Sequence, residues 1–345
     1  MKRRLIDLRG QTPLLDIVSY GRSAPGSFTT AQLDLIARTA RRTPEVMVKV
    51  SGGAHSLRGV GSHIGYISRE GSLDVETDMG VGIHGRGLQK AVIENWDLDL
   101  DAHFPMARAV RETRKPPKLV HNLIFSMPSG TPPTKVLQAV RKLAQNEWAL
   151  KHRYIMVLHT DAPHPHVHVV LKARSEQGPR LNIRKATLRD WRQQFATNLR
   201  EFAVAANATE RAVRGQSKSN VPDGIYRAER RGKSTYVRQR AKEVAAELDA
   251  AGDLTTEKGR ETLRATRRAV DQGWGNVSFA LARSGQRELA LRIQQFVDGM
   301  RPPKTERELI ADQMPRPIRS ERDRTVLPCS SVREDGKKYL TVRGL

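Results

Sequence analysis

The chain has 345 residues, 38% of them hydrophobic, and carries a formal net charge of +23 with a sequence pI of about 10.7. This length favours two folded units. The excess of Lys and Arg continues along the whole chain and favours a polyanionic partner, with nucleic acid ahead of an anionic membrane surface. A single cysteine, Cys329, excludes an internal disulfide and a cysteine-type zinc site. No apolar run approaches the roughly 18 residues of a spanning helix, and the charges in MKRRLIDLRG interrupt any signal-peptide core. We therefore expect a cytoplasmic protein without membrane insertion.

The first predicted elements are a helix and a strand. Residues 1–44 are assigned to an N-terminal extension, with a short amphipathic helix at about 31–41. Residues 45–50, EVMVKV, alternate apolar and polar side chains and predict a half-buried strand that SGGAHS closes as a turn. A helix that begins near Ser56 then carries its apolar residues along one side.

The middle of the chain alternates strands and helices. The predicted elements are a strand at 119–127, a helix at 134–148, strands at 154–159 and 166–171, and a helix at 186–206. The short turn TDAPHP between the last two strands predicts an antiparallel hairpin. Residues 45–215 therefore predict an α+β domain, in which helices pack on an antiparallel-containing sheet.

The rest of the chain is more basic and less regular. Residues 216–233 are rich in Gly and Ser and predict a linker, which is followed by a helical region over 234–300. Its three expected helical segments are 235–250, 254–272 and 277–298. Residues 301–345 are charged and interrupted by prolines, and predict a basic tail with little order of its own.

The stretch LHTDAPHPHVHVVLKA contains four of the ten histidines. Period two puts His166 and His168 on one face of the second hairpin strand, and the hairpin brings His159 beside them. Three imidazoles that leave open positions are typical of a catalytic metal site, although ordinary hydrogen-bonded histidines are the alternative. His164 lies between two prolines and is expected to be a turn residue. Asp161 could ligate the metal, orient a ligand, accept a proton or simply form the turn.

A candidate nucleophile lies well upstream, in HSLRGVGSHIGYISREG. Tyr66 falls late in the predicted helix, close to His63 and Arg69. A tyrosine packed in the core is the alternative interpretation. As a nucleophile, tyrosine needs a base or a nearby cation to lose its proton, and the metal and Asp161 could supply both.

Four motifs occur in an order that resembles the plasmid mobilisation relaxases, in the branch that includes the relaxase of Agrobacterium T-DNA transfer. They are HIGYISREG, HNLIFSMPSGT, HTDAPHPHVHVVL and LRDWRQQFATNLREFAVAANATERAVRG. The resemblance covers about residues 45–215 and implies the fold of an HUH endonuclease, a superfamily named for a His-hydrophobic-His pair. It also implies a bacterial protein that nicks DNA at an origin of transfer.

The resemblance implies roles for particular residues. These are Tyr66 as nucleophile, His159, His166 and His168 as metal ligands, and Asp161 as the acidic residue of the same motif. The implied cofactor is a divalent ion, Mg²⁺ or Mn²⁺, with Zn²⁺ as an alternative. The implied product is a 5′-phosphotyrosyl adduct with a free 3′ hydroxyl, and the strand is rejoined by the reverse attack. Implied partners are origin DNA that is single-stranded around the nick, a relaxosome accessory protein and the coupling protein of a type IV secretion system, with transfer into the recipient alongside the DNA.

The chain also departs from the family pattern. Lys172 stands where the family often has Asn, and residues 1–44 precede a domain that usually begins near the N-terminus. Ser126 matches a serine of the middle motif, to which we assign no role. Seven basic side chains near the motifs could contact single-stranded DNA: Lys49, Arg58, Arg69, Lys172, Arg174, Arg189 and Arg192.

Three other functions compete with a mobilisation relaxase. A rolling-circle replication initiator would use a tyrosine downstream of the histidines, for which Tyr236 is the candidate. A histidine-metal hydrolase of small molecules would share the histidines but not the basic charge. An accessory DNA-binding protein with a vestigial site would have lost ligands, and this sequence retains all three.

Overall fold

The structure is a computed structural model that describes residues 17, 28–80, 82–103, 116–216, 228, 231–251, 254 and 258–313. Most of the predicted linker, and residues 314–345 of the predicted tail, therefore lie outside the described residues.

One antiparallel sheet organises the domain. Within the described ranges its six strands are β1 (Met47–Ala54), β2 (Val75–Thr77), β3 (Gly82–Ile83), β4 (Val120–Ser126), β5 (Tyr154–His159) and β6 (His166–Lys172). Their order is β1-β4-β6-β5-β2-β3, and every neighbouring pair runs antiparallel. The α+β fold predicted from sequence is thereby confirmed.

Helices pack on both faces of the sheet and continue after it. They are α1 (Thr30–Ala40), α2 (Leu57–Ser68), α3 (Leu88–Asn95), α4 (Leu98–His103), α5 (Pro133–Glu147), α6 (Lys185–Glu201), α7 (Thr235–Ala251), α8 (Lys258–Arg283), α9 (Arg287–Asp298) and α10 (Glu306–Gln313). None of these helices is long and apolar enough to cross a bilayer.

The two faces of β6 belong to different hydrophobic cores. Val167 and Val169 point to one face, where they pack with Phe125, Trp148 and Trp191 of the core that α5 and α6 cover. Val170 points to the other face, into the core that α2, α3 and α4 cover. Because side chains alternate along a strand, His166 and His168 also point to the face of α2. Strand alternation thus decides which helix the histidines meet.

A third core joins helices that are distant in sequence. Trp274 of α8 is fully buried among residues of α1 and α9, and its indole N–H donates to the carbonyl oxygen of Val213 at 2.8 Å. By contacts, residues 1–217 and 262–303 form one compact unit, and residues 218–261 and 304–345 form another. The domain limits at residues 45 and 215, which come from the sequence, stay a prediction.

The helix break predicted at residues 272–277 is wrong, because α8 continues to Arg283. Gly273 and Gly275, which fall in the predicted break, lie within the helix. A Cβ on Gly273 would lie only 1.9 Å from the carbonyl oxygen of Ile17. Gly273 therefore permits a close approach of two backbones rather than ending the helix.

Candidate active site

The β5–β6 hairpin brings three histidines together. His159 and His166 are direct cross-strand partners, and His168 follows on the same face of β6. Their ring centroids are 4.5–5.2 Å apart, and one potential ligand nitrogen from each lies within 4.8 Å of the others. His159 and His168 are only 2% and 6% exposed. Sequence reasoning expected this convergence, since it follows from strand pairing.

The hydrogen bonds of the rings suit metal ligands. His159 Nε2 is 2.7 Å from the carbonyl oxygen of Ile67, and His166 Nδ1 is 3.0 Å from that of His164. When these nitrogens donate, the other nitrogen of each ring keeps its lone pair. His168 Nδ1 is buried and has no hydrogen-bond partner among the described residues. A buried polar atom without a partner is costly, and a metal ion would satisfy it. The donor set therefore fits a divalent ion.

Burial favours the neutral form of two of these imidazoles, those of His159 and His168. It lowers the pKa of His159, and together with the neighbouring His159 and His166 it lowers the pKa of His168 to about 3. The protonated imidazole loses its hydration on burial and is also repelled by the neighbouring basic side chains. Neutral imidazole is the form that binds metals.

Helix α2 brings Tyr66 to the same place. Ser56 caps the helix by accepting from the Gly59 N–H at 3.2 Å, and the apolar side packs against the sheet through residues such as Ile64. Tyr66 occupies the last turn and is 53% exposed. Its ring centroid is 6.3 Å from that of His168. The phenol is thus open to solvent beside the histidine cluster.

Sequence reasoning assigned no role to His63, which the structure puts in the same group. Its ring stacks on that of Tyr66 at 6.2 Å and lies 6.5 Å from the ring of His168. Burial lowers the pKa of His63. The signal was present in the sequence, because residues three apart on a helix share a face.

Asp161 lies in the hairpin turn and pairs with Arg69, the residue that follows α2. The slight desolvation of this carboxyl acts upward, but the Arg69 hydrogen bond and charge outweigh it and hold the pKa of Asp161 below its ordinary value. Its other oxygen is 3.9 Å from His159 Nδ1. The carboxylate therefore lies between the histidine cluster and the end of the tyrosine helix.

Among the seven basic residues expected to meet DNA, Lys49 and Arg58 are exposed and Arg69 lies at the site. Lys49 pairs across β1 and β4 with Ile124, which in turn pairs with His168. Residues directly opposite in a sheet share a face and are about 4.8 Å apart per strand. Lys49 thus lies about 10 Å from His168 on the same face.

The surface role expected for Lys172 does not fit its position. Lys172 is only 6% exposed, and its ammonium contacts Glu176 at 3.1 Å and Asp101 at 3.8 Å. Arg174 also reaches Asp101, at 3.4 Å. Lys172 is the last residue of β6 and Arg174 follows it, so both lie at the end of the strand opposite to His166, where they balance a buried carboxylate.

Arg189 and Arg192 lie on α6, against the sheet face opposite to the histidines. Arg189 pairs with Glu210 at 2.9 Å, and Arg192 donates to the carbonyl oxygen of Thr209 at 2.9 Å. Neither is brought to the candidate site. Ser126 is brought close, because it is the cross-strand partner of His166.

A comparison with known protein families matches the part of the chain that carries the histidine cluster. Residues 90–203 match the family described as "Relaxase: MobA/VirD2-like, nuclease domain". The matched range contains the three histidines and Asp161, whereas Tyr66 precedes it. The resemblance to relaxases of the HUH type that the motifs indicated is thereby confirmed.

Two curated relatives carry the same name. The chain is 24% identical to the T-DNA border endonuclease VirD2 of Agrobacterium fabrum in an alignment of 229 residues that covers 56% of this chain and 46% of that protein. It is 22% identical to the T-DNA border endonuclease VirD2 of Rhizobium radiobacter in an alignment of 191 residues that covers 50% of this chain and 43% of that protein. The chain spans less than half the length of these relatives.

Proposed function

We propose that this protein is a mobilisation relaxase, which nicks one strand of a plasmid or integrative element at its origin of transfer and rejoins the strand after transfer. The observation that carries the proposal is the exposed phenol of Tyr66 beside three clustered histidines. The match to a relaxase nuclease domain and the names of the two relatives support DNA as the substrate.

In the proposed step, the phenol oxygen of Tyr66 forms a bond to the scissile phosphorus, and the bond from phosphorus to the 3′ oxygen breaks. The phenol gives up one proton and the 3′ oxygen gains one. The products are a 5′-phosphotyrosyl adduct and a free 3′ hydroxyl. Because the adduct is itself a phosphodiester, attack by a 3′ hydroxyl reverses the step and restores the strand.

His159, His166 and His168 would hold a divalent ion, for which we propose Mg²⁺ or Mn²⁺, with Zn²⁺ as an alternative. When bound, such an ion would neutralise charge on phosphate oxygens and would assist departure of the 3′ oxygen. The chain's own part is to orient the rings through the carbonyl groups of Ile67 and His164.

The DNA is proposed to be single-stranded at the nick and to cross the sheet face that carries the histidines. Lys49, Arg58 and Arg69 are its proposed phosphate contacts, which agrees with the net charge of +23. Further proposed partners are a relaxosome accessory protein and a type IV coupling protein. The proposed setting is the bacterial cytoplasm, with transfer alongside the DNA.

A rolling-circle replication initiator that uses Tyr236 is the alternative nuclease. Tyr236 is 39% exposed and lies in the first turn of α7, in the second compact unit. The proximity of Tyr66 to the histidines favours Tyr66 instead.

The test is a nicking assay on supercoiled plasmid that carries the intergenic DNA beside the gene. With Mg²⁺ or Mn²⁺ we expect a nicked circle with protein attached to the 5′ end of the nick, and His168→Ala should form none. A wild-type protein that forms neither nick nor adduct with any of these ions and any neighbouring DNA segment contradicts the proposal.

A further inference from the structure

One exposed ion pair connects the end of α2 to the hairpin turn. The guanidinium of Arg69 pairs with Asp161, and its central carbon also lies 5.4 Å from the ring centroid of Tyr66. Asp161 therefore reaches Tyr66 through Arg69. The other route between them is longer, because it runs through His159 and His168. Tyr66 itself projects into solvent from the last turn of its helix. Solvent does not restrain the exposed part of the side chain, so the orientation of the Tyr66 ring depends on the protein side chains that contact it.

The backbone at Arg69 is adapted to this contact. Arg69 ends α2 in the left-handed region, with φ 52° and ψ 53°, and its N–H donates back to Gly65 and Tyr66. Glycine is the usual residue at such a helix end, because a Cβ disfavours this conformation. The chain instead holds an arginine there. In this conformation the side chain of Arg69 lies beside the last turn of α2, which contains Tyr66.

We propose that Asp161 is a positioning residue that acts through Arg69: it holds the guanidinium against the ring of Tyr66 and so fixes the direction of the phenol. This inference rests on the proposed function for its effect on DNA. It differs from the roles that the sequence left open for Asp161, because a metal ligand, a residue that orients a metal ligand and a proton acceptor would each act without Arg69.

Three single variants, and the double variant that combines Asp161→Asn with Arg69→Gly, test whether Asp161 acts through Arg69. Asp161→Asn removes the charge of the pair, and Arg69→Gly removes the guanidinium while suiting the left-handed backbone, so that loss of folding does not obscure the result. Glu70→Gly is the matched control, because Glu70 is the next left-handed residue, with φ 55°, and its carboxylate bonds Gln89 rather than the site.

In single-turnover adduct formation on the same supercoiled plasmid, we expect Asp161→Asn and Arg69→Gly each to lower the rate constant by about 10- to 100-fold, since misdirection of a reacting group has effects of this size. The apparent KM of Asp161→Asn should change by less than about threefold. The double variant should be no slower than the slower single variant, within about threefold. Glu70→Gly should retain the wild-type rate constant. If Asp161→Asn slows Arg69→Gly by the same factor as it slows the wild type, Asp161 acts independently and the inference is wrong.

Two further measurements need no DNA. The affinity for Mn²⁺, measured by calorimetry, should be the same in Asp161→Asn as in the wild type within about threefold, and a loss of more than about tenfold would identify a metal ligand. In protein labelled with 3-fluorotyrosine, the ¹⁹F signal of Tyr66, assigned with Tyr66→Phe, should move to the same position in Asp161→Asn as in Arg69→Gly. An unmoved signal in Asp161→Asn overturns the inference. If the wild type does not nick DNA, the proposed function fails, and the ¹⁹F comparison still decides whether Asp161 orients Tyr66.

Discussion

Replacing His168 with alanine tests the metal site at a buried ligand. The imidazole is 6% exposed, its Nδ1 has no hydrogen-bond partner among the described residues, and the pKa of about 3 keeps it neutral at any working pH. Loss of a group that merely orients a ligand weakens metal binding by about 10- to 100-fold. Loss of one of three donors should therefore raise the Mn²⁺ dissociation constant by about 100-fold or more, which is about 2.7 kcal/mol.

The matched control is His164→Ala, in the turn of the same hairpin. His164 contributes its backbone carbonyl to His166 but its side chain is exposed, so the alanine variant keeps the hydrogen bond. Calorimetric titration with Mn²⁺ near neutral pH should give the wild-type affinity for His164→Ala. The reasoning is refuted if both variants lose affinity equally, or if His168→Ala binds Mn²⁺ as the wild type does while remaining folded.

Three further predictions concern packing, acid stability and DNA contacts. Gly273→Ala should lower the free energy of unfolding by about 1–3 kcal/mol, since its Cβ would meet a backbone oxygen at 1.9 Å. Gly275→Ala is the control, because a Cβ there has open space, and it should raise the free energy of unfolding by less than about 1 kcal/mol. Equal urea midpoints for the two variants would contradict this prediction. Burial, followed by nearby cationic groups, lowers the pKa of His121 to about 4, so the unfolded chain binds this proton first and the free energy of unfolding should fall as pH decreases from about 6.5 to 4. His121→Gln should reduce that fall, and an identical pH profile would count against the assignment. Lys49→Ala should weaken binding to single-stranded DNA and reduce the slope of log affinity against log salt concentration by about one. Lys172→Ala should leave this slope unchanged and lower the free energy of unfolding by about 3 kcal/mol. A reduced slope for Lys172→Ala, measured by fluorescence anisotropy, would reverse the roles of the two residues.

The hairpin was predictable because its determinants are local. The alternation of valine and histidine and the short turn TDAPHP predicted strands at 154–159 and 166–171, and the structure has them at Tyr154–His159 and His166–Lys172. Strand pairing then brings His159 beside His166 without any long-range information. The capped helix after Ser56 was predictable for the same reason.

Elements that depend on distant partners were not predictable in this way. Strands β2 and β3 have only three and two residues, too few to show a period. Gly273 of α8 did not show its packing role in the sequence, because the backbone that it approaches, at Ile17, is distant along the chain. Lys172 looked like a surface cation because its buried partner Asp101 lies in a helix that sequence periodicity did not reveal. Burial of a charge is decided by such partners, which a single sequence does not display.

The identity of the residue that carries the DNA tests the central claim most directly. The covalent adduct formed on nicked plasmid would be treated with nuclease and protease, and the peptide that bears the nucleotide would be identified by mass spectrometry. We predict the peptide that contains Tyr66, and no adduct from Tyr66→Phe. A nucleotide on Tyr236 instead, with an adduct that persists in Tyr66→Phe, would contradict the account and favour the rolling-circle alternative.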